Sequence, residues 1–112
     1  MDCLFCKIIA GEIPAQKMYE DEDMVIIKDI EPKAKNHFLL LPKEHFKLLS
    51  EMTDKQSETL GRCLKKIPAM TEKLGLENGY RLIINQGDDA GQTVFHLHVH
   101  ILSGQRMGWT PA

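Results

Sequence analysis

No stretch of this 112-residue chain is apolar for long enough to cross a bilayer, which takes about 20 residues. A membrane partner is therefore not expected. The opening Met1-Asp2-Cys3-Leu4-Phe5-Cys6-Lys7 lacks a charged segment followed by an apolar one, so no export signal is expected either. Charge of one sign is scarce: 14 Lys and Arg against 16 Asp and Glu leave a net charge of −2. With no basic stripe, binding of a nucleic-acid polymer is disfavoured. Cysteine is rare and odd in number, three in all, two of them as Cys3-x-x-Cys6. That usage suits a reducing cytoplasm rather than a secreted disulfide scaffold. Repeats, low-complexity segments and linkers are missing, so residues 1–112 read as a single domain. A domain this small buries a modest share of its surface, and dimerisation would add to its stability.

What is present is concentrated in one run, His96-Leu97-His98-Val99-His100-Ile101-Leu102, which holds three of the five histidines. Histidine alternates with apolar residues, the pattern of a strand with one oily face and one imidazole face. Side chains at i and i+2 lie roughly 6.7 Å apart along a strand, so three imidazoles are expected to meet one ligand together. Imidazole serves as nucleophile, acid or base near neutral pH. Two chemical readings stand beside that of a merely solvated face. One is a metal site with His96, His98 and His100 as ligands; the other is nucleophilic catalysis by His98.

The rest of the chain supplies a scaffold. Cys3 to Ala10 reads as a short helix ended by Gly11. Lys17–Glu20 and Met24–Lys28 read as strands around an acidic turn, and His37–Leu41 as a buried strand closed by Pro42. Thr53 and Gln56 form a capping-box pattern for one long helix. Its apolar stripe is Leu60, Cys63, Leu64, Ile67, Met70 and Leu74; Pro68 is expected to kink it and Gly75 to end it. Tyr80–Asn85 is a further strand, followed by a Gly-rich loop to Gln92, the histidine strand, and a tail from Ser103 without regular structure. Short connections between strands favour an antiparallel sheet with the long helix on one face, an α+β two-layer fold.

Several residues near these elements have chemistry to offer. The loop Asn85 to Thr93 brings glycines, amides and a hydroxyl just upstream of the imidazoles, and its N–H groups are candidates for an anion nest. Asp29 ends a strand, where it either caps a turn or accepts hydrogen bonds from a ribose. His37 matters chemically if its strand neighbours the histidine strand. Cys3 and Cys6 are packing residues, a redox pair, or half of a zinc site that needs about four ligands, with His45 and His96 as candidates for the rest.

The run His96 to Leu102 resembles the histidine-triad (HIT) motif, and the likeness extends over nearly the whole chain. It includes Phe5-Cys6-Lys7-Ile8-Ile9, Asp29-Ile30, His37 to Lys43, Gly79-Tyr80-Arg81, Asn85, Gly91-Gln92-Thr93-Val94 and Met107-Gly108-Trp109. The pattern is most similar to the Hint branch, the histidine-triad nucleotide-binding proteins. The resemblance implies a single HIT domain, an α+β homodimer, and a purine nucleotide such as AMP or GMP as ligand. It implies hydrolysis of nucleoside phosphoramidates or adenylyl compounds through a covalent nucleotidyl-histidine. By it, His98 attacks, and His100, His37 and Thr93 assist. Ile27, Asp29, Ile30, Asn85, Gly91, Gln92, Thr93, His98 and His100 hold the nucleotide. No catalytic cofactor is implied, but Cys3, Cys6, His45 and His96 occupy positions that bind one structural zinc in some members. Thr93 departs from the family's frequent serine, and Ile27 from an aromatic. The alternatives are a nucleotide-binding or scaffolding module with little catalysis, and a dinucleoside polyphosphate hydrolase.

Overall fold

The computed structural model describes residues 3–109. Helix α1 (Leu4–Ile9) begins at Cys3, whose Sγ accepts the Cys6 N–H at 3.3 Å. Strands β1 (Lys17–Glu20) and β2 (Met24–Lys28) form a hairpin. Its acidic turn is ordered by Asp21, whose Oδ1 accepts the N–H groups of Asp23 and Met24 at 2.8 and 3.0 Å. Burial works against a charge there, but Lys66 at 2.6 Å, these N–H groups and the Tyr19 hydroxyl hold the carboxyl down to about 2. β3 (Asn36–Pro42) pairs with β2, then helix α2 (Asp54–Lys66) crosses the sheet. β4 (Tyr80–Ile83) and β5 (Val99–Ser103) complete five antiparallel strands in the order β1-β2-β3-β5-β4. This is the expected α+β architecture, an antiparallel sheet with a long helix packed on one face.

The long helix is not continuous. The capping box forms at Thr53 and Gln56, but α2 stops at Lys66, a 3-10 turn takes Ile67–Met70, and α3 (Thr71–Leu74) finishes the segment. Pro68 has no N–H for Leu64, so the tighter turn replaces a simple kink. The apolar stripe survives the change. Leu60, Cys63, Ile67, Met70 and Leu74 all bury against Met24, Ile26, Phe38, Leu40, Leu97, Val99 and Ile101.

The opposite face of the sheet is also covered. Phe5 and Ile8 of α1 pack on Val25, Ile27, Leu39 and Leu41. This explains why β3 is buried on both sides, where one-sided burial would leave every second residue open. The register pairs Leu39 with His100 and His37 with Leu102, so the even-numbered residues of β5 share this second face with His37. Regular β5 hydrogen bonding starts only at Val99, later than the sequence pattern predicts; His96 and His98 lie on its extended approach. Ser103 belongs to the strand rather than to the tail, and no helix among the described residues is long and apolar enough to cross a membrane.

Gly75 closes α3 at φ 72°, and a Cβ there would meet Asn36 Nδ2 at 2.7 Å. Its carbonyl also accepts the Ser103 hydroxyl at 3.1 Å. Gly75→Ala should therefore cost about 1–2 kcal/mol from the left-handed backbone alone, read as a lowered midpoint in denaturant unfolding; an unchanged midpoint would contradict the account.

Candidate active site

Even spacing predicts that the three histidines meet one ligand together, but His96 does not converge with His98 and His100. His96 turns away: its Nε2–H donates to the Pro42 carbonyl at 2.7 Å, which leaves Nδ1 without a proton. That Nδ1 lies 3.4 Å from Cys3 Sγ, 3.6 Å from Cys6 Sγ and 3.1 Å from His45 Nδ1. His45 is brought there because the Leu97 N–H bonds the neighbouring Phe46 carbonyl. Cys3, Cys6, His45 and His96 form one group of candidate metal ligands, and Asp29, His37 and His100 form another. Neither unites His96, His98 and His100, so the reading of those three as ligands of one ion is corrected.

His98 is fixed by its own backbone. Its Nδ1 sits 2.8 Å from the His96 carbonyl, an acceptor only, so Nδ1 carries the proton. Burial lowers the pKa of this imidazole against the pull of the carbonyl and of Asp29, and the neutral ring presents a bare Nε2. The ring is only 8% exposed. Among the described residues this Nε2 has no hydrogen-bond partner, whereas Nδ1 is committed to the His96 carbonyl. The side chain that turns away from water thus keeps one lone pair open.

His37 and His100 make a relay beside it. The Lys33 N–H donates to His37 Nδ1 at 2.9 Å, which leaves the His37 proton on Nε2. That Nε2–H donates to His100 Nδ1 at 2.9 Å, with Asp29 Oδ2 3.4 Å away. His100 is left with its proton on Nε2, and its ring centroid stands 5.2 Å from that of His98. Burial, then the neighbouring His98 and His37, push His100 down to about 4. Burial also lowers His37, against the opposing charge of Asp29. Asp29, His37, Asn85 and His100 wall one pocket of about 220 Å³.

Other candidates lie elsewhere. Gln92 is buried and its side chain is committed: Oε1 accepts the Gly87 N–H at 2.8 Å and Nε2 donates to the Lys47 and Val94 carbonyls. The N–H groups of Gly91 and Gln92 bond the Asp88 and Gly87 carbonyls. The expected anion nest is corrected to that extent, because those donors close the loop on itself. Thr93 is exposed and borders a separate hollow with Cys3, His45 and Lys47. Ile27 lies in the core under α1, and Ile30 is 94% exposed. Phe5 was not singled out chemically by the sequence, yet its ring stands edge-on to His98 at 4.9 Å and to His96 at 6.0 Å. Its spacing of three from Ile8, within the Cys3-x-x-Cys6 helix, was the available sign of a sheet-facing side.

Comparison with known proteins places this geometry. Residues 10–107 match the model of the HIT domain. Protein HitA of Neisseria gonorrhoeae is 48% identical over 101 residues, covering 90% of this chain and 94% of its own. The structure of a HIT family hydrolase from Legionella pneumophila superposes with a TM-score of 0.92 at 41% identity, over 99% of this chain and 100% of that one. A zinc-bound histidine triad family protein from Mycobacterium smegmatis gives 0.80 at 35% identity, over 94% of this chain and 76% of that one.

The depressed His100 sets a direction for pH dependence. An unfolded chain takes up this proton near 6.5, the folded one only near about 4, so this contribution to stability is complete above 6.5 and is lost as pH falls toward 4. Melting temperatures across that window should fall with pH, and less steeply in His100→Gln; an equal slope in both proteins would refute the assignment.

Proposed function

The chain belongs to the HIT domain family, and from that premise we propose that it is a Hint-branch hydrolase of purine nucleoside phosphoramidates and related adenylyl compounds. The observation that carries the reading is the unprotonated Nε2 of His98, left without a partner among the described residues while its Nδ1–H is held by the His96 carbonyl. In the first step this Nε2 attacks the α-phosphorus. A bond forms from phosphorus to His98, the P–N bond to the amine breaks, and the amine departs with a proton taken from solvent, which the hydrolytic second step returns. In the second step water attacks the same phosphorus, returning free His98 and a nucleoside monophosphate such as AMP or GMP. Dividing one displacement into two is the gain from covalent catalysis. The His100 Nε2–H is a hydrogen-bond donor for a phosphoryl oxygen, and the His37–His100 contact keeps that proton in place. Asp29, whose Oδ1 accepts the Glu31 N–H at 2.8 Å, offers its other oxygen to a ribose hydroxyl. Asn85 contributes a polar group to the pocket walled by Asp29, His37 and His100, while Thr93 offers its hydroxyl from a separate hollow. The exposed Ile30 beside Asp29 is the candidate rest for a purine, with Ile27, buried under α1, shaping that side from the core.

The reaction needs no catalytic metal. The four-residue group at α1 suits a structural zinc instead: two thiols and two imidazoles are a common tetrahedral donor set. Edges of such a tetrahedron are about 3.3–3.8 Å for ordinary Zn–N and Zn–S bonds; the sulfur–nitrogen separations of 3.4 and 3.6 Å fall in that range, and the 3.1 Å between the two imidazole nitrogens is just below it. The zinc-bound mycobacterial relative supports this reading. Free Cys3 and Cys6 fit a reducing compartment, the cytoplasm. A homodimer is supported by β4, an edge strand whose Tyr80 and Leu82 are 37% and 39% exposed. Trp109, 96% exposed beyond a tail pinned by Arg81 to the Gly108 carbonyl, is free to meet a second copy.

His98→Ala should lower turnover of an adenosine phosphoramidate by about a thousandfold or more while AMP binding, followed by calorimetry, persists. Mass spectrometry should locate a trapped nucleotidyl adduct on His98; an adduct on another residue, or undiminished turnover in the variant, would end the proposal. Metal analysis should return about one zinc per chain, and light scattering the mass of two chains; zinc near zero or a monomer would remove those parts.

A further inference from the structure

We propose that the Cys3–Cys6–His45–His96 group, when it holds a metal ion, acts as a latch that positions the His98 ring, with Phe5 as the side chain that transmits the hold. The inference rests on the reading of His98 as nucleophile and adds to it a cause for the ring's orientation. His96 belongs to both sites at once. Its imidazole Nδ1 faces Cys3 and Cys6, while its backbone carbonyl accepts the His98 Nδ1–H at 2.8 Å. Whatever fixes the His96 ring therefore also fixes the acceptor that selects the His98 tautomer.

The second hold comes from α1. Phe5 sits between the two cysteines in sequence, and its ring meets His98 edge-on, 4.9 Å between centroids with 75° between planes. The helix that carries it has only six residues, too few to be stable by itself. It is kept in place by burial of Phe5 and Ile8 against the sheet and by the two thiols. The thiol sulfurs lie 3.4–3.6 Å from Nδ1 of His96 and His45, and a thiol is by itself a weak hydrogen-bonding group. Coordination would replace these contacts with four strong bonds and tie the first turn of α1 to the approach of β5. Loss of the ion leaves every residue of the pocket in the chain but frees both sides of the nucleophile.

The test reads the ring directly. In protein with ¹⁵N-labelled histidine, the His98 Nδ1–H signal should be single and slowly exchanging with zinc bound. After chelation it should broaden or vanish. The rate of nucleotidyl-adduct formation should fall about ten- to a hundredfold, and added zinc should restore both. Phe5→Leu keeps the apolar bulk and both thiols; it should bind zinc at full stoichiometry yet form the adduct about tenfold more slowly, with a shifted His98 signal. A His98 signal and adduct rate indifferent to zinc would overturn the latch, as would a Phe5→Leu protein identical to the parent. If circular dichroism shows that the metal-free chain unfolds, zinc-loaded Phe5→Leu decides the matter. Full turnover in His98→Ala would instead defeat the underlying functional reading, since the imidazole signal is observed without substrate.

Discussion

A single hydrogen bond, from Nδ1 of His98 to the carbonyl of His96 two residues earlier, governs the chemistry available here. A carbonyl cannot donate, so the bond chooses the tautomer without help from any charged partner. A carboxylate at that position would have raised the basicity of the ring and drawn the imidazole toward its charged form. A backbone acceptor in a buried setting leaves it neutral, with one nitrogen ready to share electrons. The same logic runs through the other rings: Pro42 sets His96, and Lys33 sets His37, which in turn sets His100. Four imidazoles are assigned by backbone groups or by one another. The carboxylate of Asp29 is a neighbour rather than the organiser.

Such an arrangement requires the backbone to be immobile, and the sheet provides this. β3 contributes Pro42 at one end and His37 near the other, and it is paired on both edges and covered on both faces. Its burial by α2 on one side and α1 on the other makes the positions of the Pro42 carbonyl and of His37 a property of the core. Gln92 does similar work in the preceding loop, where one amide fastens three backbone groups from separate stretches of chain.

Much of this was legible in the sequence because it is periodic or locally capped. The alternation through the histidine run identified β5 and its buried partners Leu97, Val99 and Ile101. Thr53 and Gln56 announced the start of α2, and the stripe from Leu60 to Leu74 announced its buried side. Pro68 was recognised as a disturbance, but a proline does not reveal whether a helix bends or tightens. What escaped were facts of direction. Equal spacing places three histidines on one side of a strand, yet His96 lies before the regular ladder and rotates toward the cysteines. Gln92 looked like a donor for a ligand because a sequence cannot show that Gly87, Lys47 and Val94 have already claimed it. α1 looked like a short helix, and its role in closing the second face depended on contacts with strands far along the chain.

The strand order has a consequence for synthesis on the ribosome. β5, the element placed between β3 and β4, emerges after both of its neighbours have been made. Until residues near 103 clear the exit tunnel, β3 carries an unpaired edge and the stripe of α2 has no complete surface to cover. The nascent chain thus inserts the strand that stands fourth in the sheet last, between two that are already made. β1, β2 and β3 are neighbours in chain order, whereas β4 has no strand to pair with until β5 arrives, and the imidazole cluster comes into existence in the same late event that closes the sheet.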